Sequence, residues 1–325
     1  MPAKGHNRGI VVSYGTEAHS ALYQWQRRMQ TRLGNAAVLW IARNYRRIPA
    51  RAASGIGGGV GTLIRLLSPR HRRIVMTNLR IAFGQEKTEE ELARIAAACY
   101  QHLGRCLVEF VRLPGMVGEE LCRTAELRGS EHLDQALAGG RGGIVLTGHV
   151  GNWEIVGARL AAGGYPLNVI ARAQRDSTLT EYIRRTRETA GMRVFHRGSA
   201  VKRCLEALRR NELVGVLLDQ NAGNEGVFVD FFGSPASTAP GVAAFALRTG
   251  AAVLPTFGWR NPDGTHSIVV SEPVPLVHTG DHREDMRVNT ARYTKIIEEA
   301  IRAHPEQWFW LHKRWKSRPP GERGS

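Results

Sequence analysis

From residue 141 onward the apolar residues change spacing repeatedly, and this alternation constrains the fold more than any other feature of the chain. The runs GGIVLT, LNVIA, MRVF, LVGVLLD, AVLPTFGW and HSIVV read as strands, with stretches of helical period between the earlier ones. Parallel strands need crossover connections, and helical crossovers cover both faces of the sheet they join. The pattern predicts an α/β fold with a mainly parallel sheet flanked by helices. Upstream, TEEELARIAAACYQHLGRCLVEFVRL opens with a capping box, Thr88 to Glu91. Its period places Leu92, Ile95, Cys99, Leu103, Leu107 and Phe110 on one face of a long amphipathic helix. With 325 residues, 42% of them hydrophobic, the chain can bury a sizeable core. The expected organisation is a tail at 1–20, a helical membrane-interface region at 21–120, a catalytic domain at 121–318 and a tail at 319–325.

Lysine and arginine number 45 against 29 acidic residues, a formal net charge of +16 that calls for a polyanionic partner. Nucleic acid, anionic lipid and an acidic carrier protein all qualify. Residues 21–80 interleave Trp25, Leu39, Trp40, Ile41, Leu63, Leu66 and Leu67 with arginines, the composition of helices that lie in a membrane interface. No segment reaches the roughly 18 apolar residues of a spanning helix, because GNAAVLWIA meets Arg43 and AASGIGGGVGTLI meets Arg65. The first twenty residues lack an apolar stretch long enough for a secretion signal. Cys99, Cys106, Cys122 and Cys204 form no CxxC pair and have no histidine at ligand spacing, so neither a metal site nor a disulfide framework is indicated.

The first strand of the alternating region runs directly into TGHVGNWEIVG. Ligands of open parallel sheets bind at the carboxyl ends of strands, where His149 stands, and Glu154 falls in the first turn of the next helix. A carboxylate there is favoured by the helix dipole and could hold one imidazole nitrogen, leaving the other to accept a proton. Gly148 and Gly151 allow close backbone approach, and Asn152 is suited to cap the helix. Among 12 histidines, only His149 has an acidic residue five positions on. GxSxG, GxxxxGK[ST] and GxGxxG are all missing, even from GIGGGVG, which removes the main support for serine-hydrolase, nucleoside-triphosphatase and dinucleotide readings.

LLDQNAGNEGVFVDFFGSPASTAPG then ends a strand in Asp219 and Gln220 and continues to Phe228, Phe231 and Phe232. HPEQWFWLHKRWK packs Trp308, Trp310 and Trp315 among His312 and Arg314, a composition suited to interfacial lipid or phosphorylated sugar. From RRIVMTNLRIAFG through these motifs in this order, the chain resembles the bacterial lipid A biosynthesis lauroyl and myristoyl acyltransferases, a family that includes phosphatidylinositol mannoside acyltransferases. The resemblance implies a glycerolipid-acyltransferase-like fold and transfer of an acyl chain from acyl carrier protein or coenzyme A to a glycolipid hydroxyl. A lipid A precursor is the expected acceptor, with phosphatidylinositol mannoside or another glycolipid as the alternative, and no cofactor is implied. It carries the family's catalytic pair onto His149 and Glu154, its arginine onto Arg187 with Arg184 and Arg185 nearby, and its acidic residue onto Asp219. It implies work at the cytoplasmic face of the inner membrane, although the apolar anchor of many members is short and interrupted here. An acyl-thioester hydrolase would use the same base with water. A nucleic-acid binder would explain the charge but not the histidine at a strand end.

Overall fold

A computed structural model of the chain describes residues 50–116, 118–171, 177–319 and 321. Trp25, Leu39, Trp40, Ile41, the 1–20 tail and most of the 319–325 tail lie outside these residues. Three helices come first: α1 (Ala50–Leu67), α2 (Pro69–Phe83) and α3 (Glu89–Arg112). The alternating region follows as α4 (Glu119–Thr124), β1 (Ala125–Arg128), α5 (Ser130–Ala138), β2 (Gly143–Thr147), α6 (Trp153–Ala162), β3 (Leu167–Ala171), α7 (Ser177–Thr189), β4 (Arg193–His196), α8 (Ala200–Arg209) and β5 (Leu213–Leu217). A two-stranded hairpin, β6 (Val227–Phe231) and β7 (Ser234–Thr238), precedes α9 (Gly241–Thr249), β8 (Ala252–Arg260), β9 (His266–Val270) and α10 (His282–Ala303).

Seven strands form one sheet in the order β1-β9-β8-β2-β5-β3-β4, and every neighbouring pair is parallel except β8 with β9. The mainly parallel sheet with flanking helices is therefore as the sequence predicts. β2 lies in the middle, all five of its residues buried, because helices cover both of its faces. Its side chains alternate accordingly. Ile144 and Leu146 join one apolar cluster, and Val145 joins the other. β1, with the sequence AELR, carries no apolar run that marks it as a strand, whereas β6 does (VFVDF) and pairs with the more polar β7 (SPAST) in a hairpin that is not among the expected strands.

The capping box of α3 forms as expected, Thr88 and Glu91 each bonding the other's backbone. Its burial is broader than a single stripe. Leu92 and Cys99 are buried, Ile95, Leu103, Leu107 and Phe110 are half-buried, and Ala96, Tyr100, His102 and Cys106 are buried beside them. The cause is α1, which packs on α3 backbone to backbone. A Cβ on Gly61 would lie 1.9 Å from the Tyr100 carbonyl oxygen, and one on Gly104 would lie 2.0 Å from that of Gly57. GIGGGVG is thus a helix-packing face. Val75, Leu79 and Phe83 of α2 share their core with Ile144 and Leu146 of β2, so α2 and α3 are anchored to the sheet's own interior.

Gly61→Ala forces the two backbones apart, at a cost of about 1–3 kcal/mol for overpacking a contact that cannot yield by side-chain rotation. Native-state proteolysis should show faster cleavage within α1, accompanied by a lower unfolding midpoint. An unchanged cleavage rate would show that α1 does not depend on this contact.

Candidate active site

The turn after β2 is held from several sides. Gly151 has φ +56, and a Cβ there would meet the Gly258 carbonyl oxygen at 1.7 Å, so only glycine fits. Asn152 caps α6 as expected, its side-chain oxygen accepting from the Glu154 and Ile155 amides at 3.1 and 3.3 Å. Its amide nitrogen donates to the Glu109 carboxylate of α3 at 2.7 Å. Glu109 also faces His266 and pairs with Arg260. Burial alone would push its carboxyl up, but His266 and Arg260 bring it down to about 2.

His149 does not bond Glu154. Its Nδ1 lies 2.8 Å from Asp219 Oδ1, and its backbone N–H donates to Asp219 Oδ2 at 2.7 Å. The Trp308 indole N–H donates to the same Oδ2 at 2.7 Å. Asp219 is buried, which would raise its carboxyl, yet the His149 imidazole and these donors hold it down at about 2. A carboxylate at Nδ1 fixes the tautomer with its proton on Nδ1, so Nε2 presents a lone pair outward. Gln220, exposed, sets its side-chain amide 3.3 Å from that nitrogen. β2 and β5 pair in register through Thr147 and Leu217, so both strand ends deliver their acid–base groups to one place.

Glu154 points the other way, toward α7, and this corrects the expected contact with His149. It is bonded twice by Arg187, from Nε at 2.9 Å and Nη2 at 2.7 Å. Burial disfavours the guanidinium charge, but the Glu154 carboxylate holds Arg187 above its ordinary value. Arg184 and Arg185 pair with Glu181 on their own helix. Glu154 reaches His149 only through Trp153, whose indole N–H donates to Glu154 Oε1 at 3.1 Å while its ring stands edge-on to the imidazole at 4.8 Å. An apolar slot of about 40 Å³ begins beside Trp153, Glu154 and Arg187 and runs between Leu160, Val169 and Met192.

The C-terminal segment is corrected more sharply. Trp308, Trp310, Arg314 and Trp315 are buried and cannot face lipid. Trp308, Trp310 and Trp315 pack with Phe231 and Phe232 in one aromatic cluster. Arg314 lies over the Phe231 ring and donates to the Ser237 and Gln220 carbonyls. Burial pushes its guanidinium down to about 10, so it remains charged at neutral pH. His312, whose imidazole burial pushes below its ordinary value, accepts the Asn221 N–H at 2.9 Å. The segment also runs antiparallel to the turn after β2: the Gly151 N–H donates to the Gln307 carbonyl and the Phe309 N–H to that of His149. Its aromatics and cations hold the site from within. Glu109 and the Trp153 relay escaped the sequence reading, and a lone acid inside CLVEFV was the available signal for the first.

Glu109 contributes stability that is present above its unfolded pKa near 4.5 and lost as the pH falls through about 2. Urea unfolding of the wild type and Glu109→Gln should therefore differ most above pH 5, by on the order of 2–3 kcal/mol, and converge between about pH 4.5 and 2. A difference independent of pH would show that the charge is not what the network stabilises.

The chain matches the family described as bacterial lipid A biosynthesis acyltransferase over residues 21–317. It is 29% identical over 250 residues to a phosphatidylinositol mannoside acyltransferase of Mycobacterium tuberculosis (strain CDC 1551 / Oshkosh), covering 71% of this chain and 77% of the relative. It is 26% identical over 287 residues to the lipid A biosynthesis lauroyltransferase of Escherichia coli (strain K12), covering 87% and 90%. With the phosphatidylinositol mannoside acyltransferase of Mycolicibacterium smegmatis it shares 28% identity over 292 residues, covering 88% and 91%. A mainly parallel sheet with His149 at the end of its central strand, joined to a match over nearly the whole chain, places this protein in the bacterial lipid A biosynthesis acyltransferase family.

Proposed function

We propose that this enzyme moves a fatty acyl chain from a thioester, on acyl carrier protein or coenzyme A, to a hydroxyl of a glycolipid, with His149 as general base. The observation that carries the reading is the imidazole held by Asp219 at Nδ1 with Nε2 facing outward at the strand end. The Gln220 amide occupies Nε2 as an acceptor hydroxyl would, and being exposed it can swing aside. The hydroxyl then gives its proton to Nε2 as its oxygen attacks the thioester carbon. The tetrahedral intermediate collapses by breaking the carbon–sulfur bond, and the departing thiolate takes that proton back from His149.

The amides of His149 and Gly151 are already bonded to Asp219 and Gln307, so they are spent as oxyanion donors. The displaced Gln220 amide is the donor we assign to the developing oxyanion. Glu154 and Arg187 position Trp153 against the imidazole and frame the mouth of the apolar slot, which suits the first carbons of an acyl chain. At about 40 Å³ it must widen for a longer one, and unbranched Met192 is the lining residue best able to yield. Transfer is direct. Burial pushes the Cys99 and Cys204 thiols up to about 12 and about 11 and raises that of Cys106 as well, and an acyl group placed on Thr147 would be less reactive than the thioester. A lipid A precursor is the acceptor we favour, with a phosphatidylinositol mannoside as the alternative.

The enzyme acts at an anionic membrane surface, which we place at the cytoplasmic face of the inner membrane. Among the described residues no helix is long and apolar enough to cross a membrane. α1, however, exposes Ile56, Leu63, Leu66 and Leu67 at 43, 54, 55 and 70%, and Arg65, Arg70, Arg72 and Arg73 lie in the sequence around its end. Leucines beside arginines suit peripheral attachment, the former unscreened and the latter salt-sensitive.

His149→Ala and Asp219→Asn should each lower transfer by about 10²–10⁴, and Arg187→Gln by less, about tenfold, because it acts through Glu154 and Trp153. Thioester consumption and acylated lipid are measured together. Folded His149→Ala protein with near-normal transfer overturns the assignment, and thioester loss that needs no lipid acceptor favours the hydrolase instead.

In flotation with anionic vesicles, salt should weaken attachment without abolishing it. Replacing Leu63, Leu66 and Leu67 by serine should remove the salt-resistant part, several-fold in bound fraction. If the triple variant floats like the wild type in high salt, α1 is not the apolar contact.

A further inference from the structure

The segment that clasps the catalytic turn alternates in burial. Arg314 and Trp315 are buried, whereas Lys313, Lys316 and Arg318 are exposed. None of the three forms an ion pair among the described residues, and no acidic residue lies between Gln307 and Pro319. Their place is fixed by neighbours in contact with the site. Lys313 follows His312, which accepts the Asn221 amide at 2.9 Å, and Lys316 and Arg318 flank Ser317, whose Oγ accepts from Asn221 Nδ2 at 3.1 Å. Asn221 follows Gln220, which bonds His149 Nε2. Three cations with no ion-pair partner among the described residues thus stand on a segment that bonds the chain directly after Gln220, the neighbour of His149 Nε2.

Such an arrangement contributes little to folding. Like charges brought together repel, and exposed lysines lose side-chain entropy when held. Its chemistry fits an anion with several oxygen acceptors, bound by charge-assisted hydrogen bonds without the desolvation cost of a buried pocket. We propose that Lys313, Lys316 and Arg318 form a phosphate-binding rim beside His149 that holds a phosphate carried by one of the two substrates. This rests on the acyltransfer reading above. Held by this segment, a phosphate would set which hydroxyl, or which end of the thioester donor, arrives at Nε2.

The test is two-substrate kinetics on the full chain, with lauroyl-coenzyme A as donor and a bisphosphorylated acyl-glucosamine disaccharide, or its dephosphorylated counterpart, as acceptor in detergent micelles. K313E/K316E/R318E should raise the KM of one substrate by about tenfold or more, with a smaller change in kcat, and K313R/K316R/R318K should restore it. A rise in acceptor KM, with lost preference for the phosphorylated lipid, assigns the phosphate to the acceptor. A rise in donor KM assigns it to coenzyme A. Unchanged KM for both substrates, or an equal loss with both acceptors and no change in donor KM, overturns the rim. Amine labelling of wild-type Lys313 and Lys316 reads binding without turnover: protection by coenzyme A or by the bisphosphorylated lipid supports the rim, and labelling indifferent to both overturns it. Protection in a protein that transfers nothing would keep the rim and sink the acyltransferase reading.

Discussion

A buried carboxylate must be paired or the fold is penalised by several kcal/mol, and Asp219 meets that demand with donors from separate parts of the chain. β5 delivers the carboxylate, the turn after β2 delivers the His149 amide and imidazole, and the C-terminal segment delivers the Trp308 indole. Each donor would be poorly satisfied without the others. The satisfaction of one anion therefore orients the imidazole.

Two carboxylates near one histidine have taken different tasks. Asp219 is buried and bonds the ring directly, while Glu154, at the start of α6, is turned toward Arg187 and touches the ring only through Trp153. The five-residue spacing between His149 and Glu154 holds because the turn must end in a helix whose first residues face α7. One acid holds the imidazole, and the other fixes the wall beside it.

The sheet was legible mainly through strands such as β2, buried on both faces and so apolar throughout, and the helix start at Thr88 was legible because capping is local. His149 and Asp219 could each be singled out from strand-end position. Their partnership could not, because it depends on β2 lying beside β5, a choice made by packing some seventy residues apart. The C-terminal tryptophans misled for a related reason. Trp308, Trp310 and Trp315 have the composition of a lipid-facing belt, and only the neighbouring Phe231 and Phe232 turn that belt inward. Glu109 was hidden because a single acid in a helix is ordinarily solvated, whereas here the sheet side of α3 brings it to Asn152, Arg260 and His266.

The antiparallel contact between the catalytic turn and Gln307–Phe309 also has a temporal side. β2 and its turn, α6, α7 and β5 all precede that segment in the chain. A growing polypeptide can complete the sheet and place His149 and Asp219 near each other while still lacking the indole and carbonyl that hold them in register. The His149–Asp219 geometry is thus completed only once residues 307–309 are in place, and a chain ended before them carries the two side chains without the contacts that fix them.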